Sequence, residues 1–387
     1  MRARLFVAGL LAMLSVAAGC GSPSARVMPA GATVSPPHQH TATEPPAAPL
    51  RDGERFLDLR MAAPFTPRPG RGTDEYRCFL LDPKLTSAAY LTGSQFQPQN
   101  AAIVHHAIVF RVDGGEVAQA AKADNGGQGW TCFGGTGLGG VAGLGGGGSW
   151  VAAWAPGTGE SLMTAGTGYR IEAGSQLILQ VHYNLLGLAG DTPADQSGLR
   201  LRLADGSADL AQLRTTLLPA PVELPCTPQE SGPLCDRNAA VRDVASRFGT
   251  ASGLAPEGLA YLCNGGRLPD PGPTQSCDIN VRAAGTVYAV AGHMHLLGRS
   301  IKVELNPGTA RAQVILDVPM YDFDNQGARE LAAPVAVKPG DTYRVTCTHD
   351  ASLRAQLPAL QGLPPRYVVW GDGTSDEMCL GVVVWSR

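Results

Sequence analysis

The sequence contains no Cys-x-x-Cys pair, no glycine-rich loop followed by the Lys and Ser/Thr of a phosphate site, and no apolar run of about 20 residues. The first absence argues against a zinc ribbon or a thioredoxin-type redox site, and the second against a phosphate-loop nucleotide enzyme. The third argues against a transmembrane helix. Basic excess is missing too: 30 Lys and Arg stand against 33 Asp and Glu, a formal charge of −3, so no nucleic-acid footprint is present. The glycine-dense stretch from Gly126 to Gly148 therefore reads as a surface loop.

What is present begins with MRARLFVAGLLAMLSVAAGC: two arginines, a short apolar run, then small residues ending at Cys20. That is the pattern of a bacterial lipoprotein leader, residues 1–20, whose Cys20 would carry the lipid. Ordinary signal cleavage, leaving Cys20 as a free thiol or removing it, is the alternative. The first reading predicts an exported chain held to the cell envelope on its periplasmic or extracellular face, touching the membrane through its anchor alone. Residues 21–50, rich in Pro, Ala, Ser and Thr, predict a disordered tether that also carries His38 and His40. Without Cys20, eight cysteines remain: Cys78, Cys132, Cys226, Cys235, Cys263, Cys277, Cys347 and Cys379. In an exported chain an even number reads as up to four disulfides, with connectivity left open.

Beyond the tether the text consists of short β-branched and apolar runs separated by Gly, Pro, Asn and Asp. Examples are residues 101–112, 175–186, 199–204, 286–298, 301–305, 312–318, 342–349 and 379–385. Such spacing predicts an all-β chain of sandwich or jelly-roll type. The length exceeds one sandwich, so two domains are expected, 51–205 and 206–387. One stretch reads as helix: in DRNAAVRDVASRFG, Val241, Val244 and Phe248 repeat on one face. Lying between Cys235 and Cys263, it reads as a stapled excursion from the second domain.

Histidine placement carries the chemistry. Five of the six histidines beyond the tether sit inside apolar text: His105 and His106 in VHHAIV, His182 in LQVHYN, His293 and His295 in AGHMHLLG. An imidazole in an apolar run is costly unless its nitrogens find partners, and a metal ion supplies one for a cluster. His293 and His295, at i and i+2 on a strand, project from one face, with Met294 on the other. His105 and His106 are adjacent, so binding one ion together requires a bulge or a strand end there. Met378, at the mouth of the turn WGDGTSDEMC, offers a soft thioether that favours copper, and Cu(I) in particular; core filling is the plainer role for a lone methionine. His349 reads as a strand-end residue or as a hydrogen-bond partner of a ligand. Asp376 and Glu377 could orient a ligating imidazole, or serve the turn alone.

Taken in order, YRCFL, VHHAIVF, LQVHYN, HMHLLG and GTSDEMC span residues 76–379, and the sequence resembles the copper type II ascorbate-dependent monooxygenases. That family includes peptidylglycine α-hydroxylating monooxygenase and dopamine β-monooxygenase. The resemblance implies two tandem jelly-roll-like β-sandwich domains with the helical insertion in the second, and two copper ions per chain. His105, His106 and His182 would hold an electron-storing copper. His293, His295 and Met378 would hold the copper at which dioxygen binds and a C–H bond is hydroxylated. Ascorbate or a similar reductant would reduce both, and the sites would face each other across a solvent-filled cleft. The resemblance also implies a Cys347–Cys379 pair, with Cys78–Cys132 as the next choice, leaving Cys226, Cys235, Cys263 and Cys277 to pair among themselves.

Departures narrow the substrate. Where peptide-hydroxylating members carry an Arg, an Asn and a Tyr for the peptide carboxylate, this chain has Ala291, Leu380 and Val382. A small, less polar, non-peptide substrate is expected, and no lyase domain after Arg387. The competing function is a copper-binding lipoprotein for storage, delivery or electron transfer without turnover. A purely structural double sandwich is disfavoured because all six ligand positions are filled.

Overall fold

Alternation of apolar and polar residues sets the strands, which occupy most of the described chain. The computed structural model describes residues 46–138, 149–156, 158–186, 188 and 190–387. The leader with Cys20, the tether as far as residue 45 with His38 and His40, and residues 139–148 of the glycine-dense loop lie outside the described residues. The first half of the chain carries β1 (Glu54–Arg60), β2 (Asp74–Leu81), β3 (Ala89–Gln97), β4 (Val104–Val112), β5 (Trp130–Thr131), β6 (Ser149–Trp154), β7 (Ser161–Leu162), β8 (Thr167–Ile171), β9 (Gln176–Asn184) and β10 (Gly198–Asp205). The second half carries β11 (Ala211–Pro219), β12 (Glu223–Leu224), β13 (Thr274–Asn280), β14 (Gly285–His293), β15 (Gly298–Leu305), β16 (Gln313–Val318), β17 (Arg329–Val337), β18 (Thr342–His349), β19 (Val368–Val369) and β20 (Leu380–Ser386).

These strands form two face-to-face packings. In the first, β1-β10-β3-β8 covers the five-stranded sheet β5-β2-β9-β4-β6. Leu91, Leu199 and Leu201 from one sheet meet Phe79, Val109, Leu177 and Leu179 from the other in a single apolar core. In the second, β11-β20-β14-β17 covers β13-β18-β15-β16, with Val287, Val290 and Val383 packed on Ile301, Val303 and Val345. A short parallel pairing of β8 with β11, Ala211 opposite Thr167, joins the two upper sheets edge to edge, and all described residues belong to one compact unit. Residue 206 falls in the turn between β10 and β11.

Helices are more numerous than the sequence pattern indicates. The expected one is α2 (Arg237–Phe248), capped by the Asp236 side chain on the Ala239 amide and burying Ala240, Val244 and Phe248. It is preceded by α1 (Gly115–Asp124) and followed by α3 (Thr250–Asn264) and the single turn α4 (Leu353–Gln356). The sequence TASGLAPEGLAYLCN of α3 holds two glycines and Pro256, residues that oppose helix in isolation. It forms because Ala255, Leu259 and Ala260 are buried, so tertiary packing outweighs propensity.

The eight cysteines beyond Cys20 form four disulfides: Cys78–Cys132, Cys226–Cys235, Cys263–Cys277 and Cys347–Cys379. Such density fits folding in an oxidising compartment, extracellular or periplasmic. Among the described residues no helix is long and apolar enough to cross a membrane. The last residues of the expected tether are docked. The buried Arg202 guanidinium donates to the carbonyls of Ala48 and Pro49, to Glu54 at 2.8 Å and to Glu160 at 2.9 Å. Truncating one member of such a network strands the other charges in the interior. Arg202→Ala is therefore expected to cost about 3–5 kcal/mol, measured by urea unfolding. A change below about 0.5 kcal/mol, the range of neutral surface substitutions, would refute the anchoring role.

Candidate metal centre

The centre is assembled from the ends of strands on both halves. On β4 the pairing with β9 slips between Val104 and His106: Val104 faces Tyr183 while His106 faces His182. His105 is thus the extra residue of a bulge, the distortion two adjacent histidines need to reach one point. The three Nδ1 atoms lie 3.1 Å apart for His105 and His106, 3.1 Å for His105 and His182, and 3.3 Å for His106 and His182. Three nitrogens each about 2.0–2.1 Å from one ion would be separated by about 2.9–3.4 Å at angles of about 90–110°. The triad fits a single ion, and among the described residues it is the one group of three or more His, Cys, Asp or Glu close enough to share one.

The tautomer of His182 is set from behind. Its Nε2 meets the buried Asp74 Oδ1 at 2.9 Å, so the proton sits on Nε2 and the Nδ1 lone pair faces the triad. Asp74 Oδ1 also accepts from Asn184 Nδ2 at 2.9 Å and Thr374 Oγ1 at 2.7 Å. Burial alone would raise the Asp74 pKa; His182 and Thr374 outweigh it and hold the carboxyl below its ordinary value. Tyr76 stacks on His182 with ring centres 4.1 Å apart, and its hydroxyl donates to the Asp372 carbonyl at 2.7 Å. Phe323 stacks on His105 at 4.6 Å. Burial, then neighbouring His182 and His105, push the His106 pKa well below its ordinary value, so the ring stays neutral and able to ligate.

His293 ends β14, and His295 lies beyond the strand. Their rings nonetheless meet edge to face at 5.2 Å, because a loop rather than strand alternation turns His295 inward. Met294 points the other way, into the core. Gln326 Nε2 donates to the Phe323 carbonyl at 2.7 Å, which turns Oε1 toward His293 Nδ1 at 2.5 Å. His293 therefore carries its proton on Nδ1 and its lone pair on Nε2; burial and then His295 lower its pKa to about 3. His295 Nδ1 donates to the Asp376 carbonyl at 3.2 Å, and its Nε2 is buried with no hydrogen-bond partner. A buried acceptor without a donor is expensive unless a cation takes its lone pair.

Met378 is half-buried and packs against the core of the second half. His293 stands opposite Leu380 in the β14–β20 ladder, which puts Met378 at the same end of the sheet as His295. The fully buried Glu377 ties the segments together, accepting from the His295 amide at 2.9 Å and the Leu297 amide at 2.6 Å. Its Oε2 also lies 3.3 Å from His349 Nε2, which is 3.3 Å from the Met378 carbonyl. His349 is thus both a strand-end residue and a brace for the methionine turn. At Asp376 it is the backbone carbonyl, not the carboxylate, that meets His295.

Two features depart from expectation. The histidine groups do not face each other across solvent: the ring of His106 touches that of His293, edge on, at 5.7 Å. The hydrogen bonds from Thr374 to Asp74 and from Tyr76 to Asp372 hold the methionine turn against β2. The partners Asp74 and Gln326 were also not read from the sequence. Asp74 is 108 residues from His182 and Gln326 is 33 from His293, and no local spacing signals either.

Residues 273–386 match the family profile described as copper type II ascorbate-dependent monooxygenase, C-terminal domain. That stretch contains His293, His295 and Met378 but not the first triad. The mouse (Mus musculus) DBH-like monooxygenase protein 2 is 33% identical over 89 residues, 23% of this chain and 13% of that protein. The putative DBH-like monooxygenase protein 2 of Homo sapiens is 33% identical over 95 residues, 24% of this chain and 17% of that protein. The chain thus spans less than a fifth of the length of these curated relatives. Among solved structures, an allantoicase is 12% identical and covers 87% of this chain and 90% of its own, with a TM-score of 0.18. At that score the likeness says nothing about fold or function.

Proposed function

We propose that this protein is a copper-dependent monooxygenase that hydroxylates a C–H bond of a small, apolar, non-peptide substrate, using O2 and an ascorbate-like reductant. The observation that carries the reading is the convergence of three Nδ1 atoms within 3.1–3.3 Å. His105, His106 and His182 would hold one copper, and His293, His295 and Met378 the second. Imidazole suits copper in both oxidation states, and a thioether favours Cu(I) over zinc, calcium or magnesium. Bound there, copper supplies one-electron redox chemistry and dioxygen activation.

The chain's own residues supply the rest. Asp74 and Gln326 fix which nitrogen of His182 and of His293 is bare. Ala291, Leu380 and Val382 lie on the face of the β14–β20 pair that carries His293, since Ala291 stands opposite Val382 and His293 opposite Leu380. An apolar wall there would orient a nonpolar substrate and exclude water, and it lacks any group for a carboxylate. We place the two jelly-roll-like domains at 51–205 and 206–387, with α2 and α3 as the insertion in the second. We also place the chain at the cell envelope through lipid on Cys20, with substrate and O2 as its partners and no nucleic acid.

The ring contact between His106 and His293 favours a second reading, an electron-transfer or storage protein without turnover, because it leaves little room for substrate. Copper content per chain separates these readings from a metal-free one. The protein lacking residues 1–20 is expected to bind two coppers, falling toward one in Met378→Ala, and to consume O2 with ascorbate faster when an apolar substrate is added. Two coppers without O2 uptake would establish the second reading. No copper, or copper indifferent to Met378, would overturn the copper assignment.

A further inference from the structure

We propose that the helical excursion is a strut for the second metal site, with Arg247 as the residue that positions His295 and Met378. The inference rests on the metal reading above and concerns how that site is held.

The methionine turn, residues 371–378, is gripped by both helices of the excursion. From the last turn of α2, Arg247 Nη2 donates to Asp376 Oδ1 at 2.6 Å and Arg247 Nε donates to Asp243 Oδ2 at 2.9 Å. Arg366 Nη1 completes the network, 2.9 Å from Asp243 Oδ2 and 3.2 Å from Asp376 Oδ1. From α3, Ser252 Oγ donates to Asp372 Oδ2 at 2.7 Å. Inside the turn the Gly373 amide donates to Asp376 Oδ2 at 3.1 Å. A Cβ on Gly373 would fall 2.6 Å from Arg247 Nη1, so helix end and turn are in van der Waals contact. The excursion is rooted by Cys226–Cys235 at its start and by Cys263–Cys277, which ties the end of α3 to β13.

Asp376 is where this grip meets the site. Its carboxylate is clamped by two guanidiniums, and its carbonyl accepts the Nδ1 proton of His295, leaving Nε2 bare. The direction of that one peptide decides which His295 nitrogen can ligate, and Met378 follows two residues later. Stability alone accounts poorly for the network. The side chains of Arg247, Asp376 and Arg366 are 8%, 3% and 9% exposed, and ion pairs so buried gain little over apolar packing. What they provide is a fixed direction. The excursion lies outside residues 273–386, the part matching the family profile.

The test is 15N NMR of histidine-labelled, metal-free protein, beside competition measurements of Cu(I) affinity. Wild type is expected to show His295 as a single tautomer with the proton on Nδ1. In Arg247→Ala that signal should move toward tautomer averaging. The affinity of the site holding His293 and His295 should fall 10–100-fold, the range for removing a ligand's hydrogen-bond support, and Arg247→Lys should regain part of it. Ser252→Ala, which releases α3 alone, should move both signals the same way by less, and it keeps the test decisive if Arg247→Ala does not fold. Wild-type tautomer and affinity in the folded variants would overturn the strut. Tautomer averaging in Arg247→Ala, together with no copper uptake by wild type, would keep the positioning role and overturn the metal reading.

Discussion

His182→Ala is expected to remove one of two coppers and to reduce ascorbate-driven turnover by more than 100-fold. Losing only the hydrogen-bond partner of a ligand already costs 10–100-fold in metal affinity or activity. His182 supplies one of three nitrogens in a triad whose other members sit on a single bulged strand, so without it two adjacent imidazoles remain. The variant also leaves Asp74, a buried carboxylate, without the proton that His182 Nε2 donates to it. The second copper should stay, since His293 and His295 are oriented by Gln326 and the Asp376 carbonyl and not by His182. Metal analysis of wild type and variant, followed by O2 uptake, reads both effects. Retention of two coppers at wild-type affinity would sink the assignment of the first site.

Removing metal is expected to make the protein acid-labile in a particular window. In the folded, metal-free chain burial lowers the pKa of His106, His182 and His293, the last to about 3, against an ordinary 6.5. Unfolded chain takes up these protons near pH 6.5, while the folded chain resists them. Between about 6.5 and each histidine's folded value, about 3 for His293, the unfolded state thus binds more protons, and stability falls as pH falls. Each such histidine contributes about 1.4 kcal/mol per pH unit, so the three approach roughly 4 kcal/mol per unit where all are neutral in the fold and protonated outside it. Asp74 and Glu377 act lower. Their folded values are depressed below the ordinary 3.8 and 4.5, so their stabilisation is complete above those values and is lost only as pH falls through the depressed ones. Urea unfolding of metal-free protein between pH 7 and 4.5 checks this, and added copper, competing with protons for the same nitrogens, should shift the acid transition to lower pH. Stability that stays flat across that range would contradict the buried neutral histidines.

Strands were the most legible part of the fold. The run at 342–349 is β18, and the run at 199–204 is β10 less one residue at each end, because period-2 apolar text with Gly and Asp at its borders has few alternatives. Helix α2 was legible for the same reason, through the spacing of Val241, Val244 and Phe248. Helix α3 was not, since its glycines and proline signal a loop while the burial that overrides them is contributed by residues far along the chain. His293 and His295 illustrate a partial reading. Their pairing was visible, yet it arises from a loop held by Glu377 and Asp376 and not from strand alternation.

The sequence by itself determined what is local: an all-β chain of short strands, an even set of cysteines beyond Cys20, and histidines placed in apolar text where isolated imidazoles are costly. It also required that His105 and His106 break strand regularity if they were to meet, because adjacent residues on a strand point apart. Tertiary structure alone decided what depends on long-range contact. The bulge opposite Tyr183 and His182 brings three nitrogens to one point, Asp74 and Gln326 choose the tautomers, and the ring of His106 meets that of His293. The physical reason is common to all three. A strand's own pattern fixes which face a side chain takes, but the partner of its polar atom is set by sheet pairing and loop docking between residues as much as 300 positions apart.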